Sequence, residues 1–240
     1  MKKIGIIGGL GPESTIYYYR TLIDMCRQKK ELNGNYPEVI IYSMNIVEVS
    51  SLRASGDREG LINRQVETLT ALHNAGADFG IISCNACHGV FDEIEAASPM
   101  PVLSIVTETC NEVVKCGLER VALFGMESTM NGGFYQDVFA RHGISVYVPD
   151  EADQKYVSER LRKEATLECI SDDTRDGYVS IVKRMVDAYD VQGLILGCTE
   201  MPLLMTEVEQ QKAQIPFFDT GKIHVQSALR YCLSQTDFNI

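Results

Sequence analysis

Two thiols stand where an α/β protein performs its chemistry. Cys84 ends the run Ile81-Ile82-Ser83-Cys84 and Cys198 ends Leu194-Ile195-Leu196-Gly197-Cys198, so each sulfur falls at the carboxyl end of an apolar, strand-like segment. Open parallel sheets put their ligand crevices at that end of the strands. Asn85-Ala86-Cys87-His88 follows the first thiol and Thr199-Glu200-Met201-Pro202 the second, the proline suiting the first turn of a helix. A helix N-terminus beside each thiol lowers its pKa from the reference of about 8.5. If the segments bearing them flank one crevice, a thiolate and a thiol face the same carbon from opposite sides. One takes a proton and the other returns one to the far face, which inverts a stereocentre through a carbanion. Free cysteine is among the most buried residue types, so one such cysteine reads as core filler; two at matching strand ends read as a pair.

Other residues around these thiols admit more than one use. Cys84-Asn85-Ala86-Cys87-His88 also spells C-x-x-C-H, a haem-attachment or redox pattern, but no second C-x-x-C completes a zinc site and no further haem-ligand pattern occurs. Cys87 then reads as an ordinary residue of the following helical turn, and His88 as a residue that caps or orients that turn, or as a solvated or core histidine. Gly8-Gly9-Leu10-Gly11-Pro12 follows the first strand run without the dinucleotide register G-x-G-x-x-G. Its backbone N–H groups, Gly11 included, suit a substrate carboxylate or simply a tight turn. Arg53 follows the second strand run in a segment read as a loop, where a guanidinium could clamp a side-chain carboxylate bidentately. Ser128 and Thr129 occupy the strand-end loop of the second half, as carboxylate ligands or as turn and N-cap residues.

The elements that must carry these residues alternate. Short β-branched runs at 4–7, 39–42, 79–82, 121–124, 145–148 and 194–196 are separated by helical patterns including 14–29, 58–75, 134–141 and 174–189. Continuous apolar strands between helices imply parallel sheets covered on both faces. A weak repeat divides the chain: Ile4-Gly5-Ile6-Ile7-Gly8 is echoed by Val121-Ala122-Leu123-Phe124-Gly125, Cys84 by Cys198, and Pro101-Val102-Leu103 by Pro216-Phe217-Phe218. The expected architecture is α/β, with two similar domains related by pseudo-two-fold symmetry. They are residues 1–100, completed by a C-terminal helical segment at about 219–240, and residues 101–218.

Composition narrows the function. A net charge of −11 argues against a nucleic-acid or anionic-membrane surface, either of which needs a basic stripe. No apolar run approaches the roughly 18 residues of a spanning helix. Lys2-Lys3 leads straight into a strand run too short for an export signal, which implies a cytoplasmic protein. Without an export signal, most of the 8 cysteines are expected to be reduced thiols.

Taken together these residues resemble the aspartate/glutamate racemase family, and its aspartate-racemase branch in particular, over nearly the whole chain. Gly8-Gly9-Leu10-Gly11-Pro12 is similar to that branch's G-G-M-G-P, Cys84-Asn85 to the start of its C-N-T motif, and Gly197-Cys198-Thr199-Glu200 to its G-C-T-E. The resemblance implies interconversion of L- and D-aspartate, with glutamate a further candidate, by a homodimer using neither pyridoxal phosphate nor metal. It implies that Cys84 and Cys198 are the acid/base thiols, that Asn85 and Thr199 bind the α-amino and α-carboxylate groups, that Glu200 sits beside the second thiol, and that Arg53 reads the side-chain carboxylate. Two departures bear on the substrate. Ala86 stands where the family has threonine, and the family's binding lysine has no clear counterpart, Lys163 being nearest. The rival readings are a hydantoin racemase or maleate isomerase with the same two thiols, or a redox or binding protein using Cys84 and Cys87.

Overall fold

The computed structural model describes residues 1–164 and 170–234, which leaves Cys169 and the last stretch of the expected C-terminal segment outside the described residues. An uncharged, wholly buried run such as Ile4-Gly5-Ile6-Ile7-Gly8 is stable only as an interior strand with cover on both faces, and that is its place.

One compact unit comprises Met1–Ile105 together with the chain from Gly221 onward. Its central strand β1 (Ile4–Gly8) leads into α1 (Pro12–Gln28) and pairs in parallel with β2 (Val39–Ser43), with Ile6 opposite Ile41. After α2 (Ile46–Ala54) and α3 (Arg58–Asn74), β3 (Phe79–Ile82) takes the other side of β1, with Ile6 opposite Ile81. Then come α4 (Phe91–Ala97) and β4 (Val102–Leu103), giving the order β2-β1-β3-β4. Alternate strand residues feed two cores. Ile4, Ile6, Phe79 and Ile81 pack with Tyr18 and Leu22 of α1, and Ile7 and Ile82 pack with Leu69 and Leu72 of α3. Each such side chain contributes roughly 1.5–3 kcal/mol relative to exposure.

The chain continues through α5 (Ile105–Lys115) into a second unit, Val106–Thr220. There β5 (Arg120–Phe124), α6 (Glu127–Met130), α7 (Phe134–Ala140), β6 (Ser145–Tyr147), α8 (Glu151–Glu164) and α9 (Asp172–Tyr189) precede β7 (Gly193–Leu196), α10 (Glu207–Ala213) and β8 (Phe217–Asp219). The sheet is parallel with order β6-β5-β7-β8, the same order as in the first unit. Finally α11 (Thr220–Leu233) supplies Val225, Ala228, Leu229 and Cys232 to the core of the first unit.

The α/β class with two parallel four-stranded sheets agrees with the sequence expectation. Two local expectations do not. Arg53 lies on α2 and not in a loop; the β-branched Ile46-Val47-Glu48-Val49 disguises a helix that starts because the Asn45 side chain accepts the Val47 N–H at 3.0 Å. The strand-end segment bearing Ser128 and Thr129 is one helical turn, α6. The two-residue β4 and three-residue β8 are too short for a periodicity to show. Among the described residues no helix is long and apolar enough to cross a membrane, and the seven cysteines they include form no disulfide with one another.

Candidate active site

In the first unit the switch in strand order falls between β1 and β3, and both strand ends there carry site residues. Ser83 ties them together: its N–H and its hydroxyl both donate to the Ile7 carbonyl oxygen, at 3.0 and 2.9 Å. The glycine loop after β1 is a tight turn. Gly9 has φ +76, and a Cβ there would lie 2.2 Å from the Met44 carbonyl oxygen, so the chain passes only as glycine. The Gly9 N–H donates to the Thr15 hydroxyl at 2.8 Å. Gly11 is the N-cap of α1, half-buried, with Pro12 in the first turn.

Cys84 directly precedes a 3-10 segment, Asn85–Val90, as its N-cap. Its sulfur is half-buried. The neighbouring Cys87 thiol acts most strongly on it, and with the Arg53 charge and the backbone N–H groups of Cys87 and Ala86 it overcomes burial and lowers Cys84 to about 7. Cys87 itself is driven up, by donating to Cys84, by burial and by the Cys84 charge, so it remains a thiol. Arg53 is exposed in the last turn of α2, and α2 is pinned to α3 by the Arg64–Glu48 pair at 3.0 Å.

Behind Cys84 lies a histidine pair that sequence reasoning left open. His88 is buried; Nδ1–H donates to the Cys84 carbonyl oxygen at 2.9 Å and Nε2 accepts the Ile105 N–H at 3.2 Å. With both ring nitrogens engaged, none remains for a metal, and burial lowers its pKa to about 4. His224 of α11 donates from Nε2 to the Leu103 carbonyl oxygen and accepts the Tyr18 hydroxyl at Nδ1. Only the pairing of rings distant in sequence could have revealed this, and spacing alone carries no such signal.

In the second unit Cys198 follows β7, whose end is joined to β5 by the Gly197 N–H donating to the Phe124 carbonyl oxygen at 2.7 Å. A Cβ on Gly197 would lie 2.8 Å from that oxygen, so glycine is required here too. The half-buried Cys198 donates to Glu200 Oε2 at 3.7 Å, and its carbonyl oxygen accepts the Met201 N–H at 3.0 Å. The helix after it, Met201–Leu203, is a single 3-10 turn with Pro202 in first position or next to it. Thr199 is buried and Glu200 half-buried. Tyr135, fully buried, is held protonated by burial, its hydroxyl shared with Thr109 and Thr220 and Cys198 nearby; its part was not anticipated. Ser128 is exposed, whereas Thr129 is buried against Gly197 with its N–H spent on the Met126 carbonyl oxygen. Asn85 is buried and Ala86 half-buried, at the start of the 3-10 segment.

Among the described residues no group of three or more His, Cys, Asp or Glu is placed to hold a metal ion. Comparison with known proteins points in one direction. The family model described as Asp/Glu/Hydantoin racemase matches residues 7–228. The crystal structure of a candidate Asp/Glu racemase from Yersinia pestis is similar, with a TM-score of 0.89 and 36% identity over 98% of this chain and 100% of that one. An aspartate racemase homologue from Pyrococcus horikoshii gives 0.86 and 32% over 98% and 100%. The broad specificity amino-acid racemase RacX of Bacillus subtilis is 30% identical over 153 residues, 63% of this chain and 66% of the relative.

Proposed function

Starting from a chain that belongs to the Asp/Glu/Hydantoin racemase family, we propose that it interconverts L- and D-aspartate, using Cys84 and Cys198 as the two acid/base groups and no cofactor. The observation that carries this reading is the half-buried thiol at the end of β3, which the neighbouring Cys87 thiol and the Arg53 charge lower to about 7, favouring its anion at neutral pH. A second thiol stands at the corresponding end of β7 in a sheet of the same strand order.

In this mechanism the Cys84 thiolate removes the Cα proton from one enantiomer and the Cys198 thiol protonates the opposite face; for the other enantiomer the roles reverse. The N–H groups that serve the sulfur anion are fixed before reaction, so the turn need not reorganise as charge moves. Asn85 and Thr199 bind the α-amino and α-carboxylate groups, with Glu200 beside the second thiol, and Gly11, Ala86, Ser128 and Thr129 complete the lining. Arg53, close enough to Cys84 to favour its anion, reads the side-chain carboxylate.

One observation favours a wider substrate range. Ala86 has no hydroxyl to offer, and a broad-specificity racemase is among the relatives. The deciding experiment follows Cα–H exchange in heavy water for both enantiomers of aspartate, glutamate and several neutral amino acids. Exchange and inversion of aspartate above all others is the expected result; no exchange with any amino acid sinks the reading. The working assembly of this reading is a homodimer.

A further inference from the structure

We propose that His88 is a positioning residue for Cys84: its neutral ring carries the hydrogen bonding between β3 and β4 past the end of their ladder and fixes the peptide from which the Cys84 side chain projects. The inference rests on the reading of Cys84 as a proton-transfer group and adds a residue to it.

That peptide is where the chain changes course. Cys84 is extended, with φ −152 and ψ 117, and the 3-10 turn begins at the next residue. The planar unit joining them therefore sets where the Cys84 side chain points. On the β1 side the strand end is tied by the Ser83 hydroxyl to the Ile7 carbonyl oxygen at 2.9 Å. On the β4 side the paired register ends with Ile81 opposite Leu103, before it reaches the thiol.

The imidazole continues that register. A neutral ring offers a donor at one nitrogen and an acceptor at the other. A backbone N–H can only donate, so Nε2, which meets the Ile105 N–H at 3.2 Å, bears the lone pair and Nδ1 bears the proton. Nδ1–H donates to the Cys84 carbonyl oxygen at 2.9 Å, so the ring acts as a lengthened rung between the end of β3 and the residues just past β4. The β4 end is itself anchored: His224 donates from Nε2 to the Leu103 carbonyl oxygen at 3.0 Å, and the Tyr18 hydroxyl lies 2.9 Å from its Nδ1. Phe91 lies parallel to the His88 ring, with 5.1 Å between centroids and 7° between planes, and His88 is buried. Within the turn, Gln65 of α3 points Nε2 at the buried Cys87 sulfur at 3.9 Å, which packs the segment between Cys84 and His88 against α3. A reacting group misplaced by about 1 Å can lose about 100-fold in rate, so a rung that fixes this peptide bears on the chemistry as well as the core.

The test separates the two thiols. His88→Asn keeps a donor near the Nδ1 position and with it the bond to Cys84; His88→Phe keeps the stack on Phe91 and loses both bonds. Each is made in the Cys198→Ala protein, where Cys84 alone is left to exchange Cα–H of aspartate, and in the Cys84→Ala protein, where Cys198 alone is left. In heavy water His88→Phe should lower kcat for exchange by Cys84 about 100-fold with KM little changed. Exchange by Cys198 should be little affected, and His88→Asn should recover most of the loss at Cys84. Iodoacetamide alkylation of Cys84, followed by mass spectrometry across pH under reducing conditions, reads the same sulfur without substrate. Its midpoint, near pH 7 in wild type, should move in His88→Phe toward the free-thiol value of about 8.5 and return in His88→Asn. Where His88→Phe does not fold, His88→Gln, which keeps an acceptor for the Ile105 N–H and loses the Cys84 bond, takes its place in both measurements. Equal losses at both thiols, an asparagine variant no better than the phenylalanine or glutamine one, or an unmoved midpoint overturns the proposal. Wild-type exchange of aspartate together with an unmoved midpoint would strike this role alone. A midpoint that moves and is restored, in a protein that exchanges no amino acid, would leave this role standing and remove the racemase reading.

Discussion

His88 donates from Nδ1 to the backbone carbonyl oxygen of Cys84 at 2.9 Å, so a buried neutral ring holds the peptide that carries the Cys84 sulfur. The Ile105 N–H at Nε2 fixes the tautomer, and the ring stacks on Phe91 at 5.1 Å. The main chain of Cys84 is thus held by His88, while the Cys87 thiol and the Arg53 charge act on its sulfur by lowering its pKa. A catalytic group held by its own shell loses little in reorganising for reaction, which is the advantage of a preorganised site.

The acid limb of kcat/KM for aspartate should have its midpoint near pH 7. Cys84 is lowered to about 7, chiefly by the Cys87 S–H, so activity rises as pH increases through that value and the base form appears. The profile should bend down again where the last thiol proton is lost, since one acid is always required. Because the equilibrium constant of racemisation is unity, L- and D-aspartate must give the same kcat/KM profile. Initial rates in both directions from pH 5 to 10 check this; activity flat from pH 5 to 8 would remove Cys84 as the titrating base.

Cys84→Ala and Cys198→Ala should each abolish racemisation, a fall of at least about 100- to 10,000-fold, while retaining exchange of opposite hands. With Cys84 gone, the Cys198 thiolate can still take a proton from the enantiomer it faces and return deuterium to the same face. With Cys198 gone, Cys84 does this for the other enantiomer. Proton NMR of each enantiomer in heavy water reads the outcome. Exchange of the same hand by both variants contradicts a two-sided pair, and inversion by either contradicts the assignment.

Arg53→Ala should raise KM for aspartate by about tenfold to a hundredfold, the loss of one charged hydrogen-bonding partner. The variant should also move the acid limb upward for every substrate, since the Arg53 charge helps hold the Cys84 anion. A neutral amino acid separates the two effects. It should feel the shifted limb but no additional loss above pH 9, where the thiolate is formed regardless. Absence of any loss for aspartate at that pH would assign Arg53 to the sulfur alone, and equal losses for aspartate and alanine would remove it as the reader of the side-chain carboxylate.

The proposed homodimer should pair through the β2 edge. Ile41 and Tyr42 are exposed on that edge strand, and Val47 at the start of α2 is 68% exposed, an arrangement soluble proteins otherwise blunt with charge. Sedimentation should give twice the 26.7 kDa chain mass, and Val47→Glu should shift the protein toward monomer. A wild-type monomer at micromolar concentration removes the homodimer.

The sheets were legible because Ile4, Ile6, Phe79, Val121 and Leu194 lie in uninterrupted apolar runs, and helices such as α3 because their periodicity extends over several turns. The thiols were legible for the same reason: a strand end is a place that sequence can mark. The surroundings of Cys84 were not. Gln65 and His224 reach this region from α3 and α11, far away in the chain. Cys87 reads as a filler in sequence, and its effect on the Cys84 sulfur depends on the fold. Arg53 reads as a loop residue because the β-branched residues at 46–49 are poor helix formers; the Asn45 cap and the contact of Glu48 with Arg64 make that segment helical.

Acidification should destabilise the fold through its buried histidines. Burial lowers His88 to about 4, and burial together with His88 lowers His224 to about 3, against about 6.5 for an exposed ring. A depressed histidine pKa means that the unfolded chain binds more protons than the folded one throughout that interval. Stability from this source is therefore complete above about pH 6.5 and is lost as pH falls toward the folded values. At pH 5 each ring stands about 1.5 units below its unfolded pKa, roughly 2 kcal/mol apiece. Urea unfolding at pH 7.5 and pH 5 should record a loss of that order, and the ring signals of His88 and His224 should not titrate between those values. Tyr18→Phe should weaken the fold already at pH 7.5 by about 1–3 kcal/mol, because the His224 Nδ1 lone pair would lose the hydroxyl it accepts at 2.9 Å. Rings that titrate near pH 6.5, or a Tyr18→Phe variant as stable as wild type, would show that the histidine pair does not brace the chain behind Cys84.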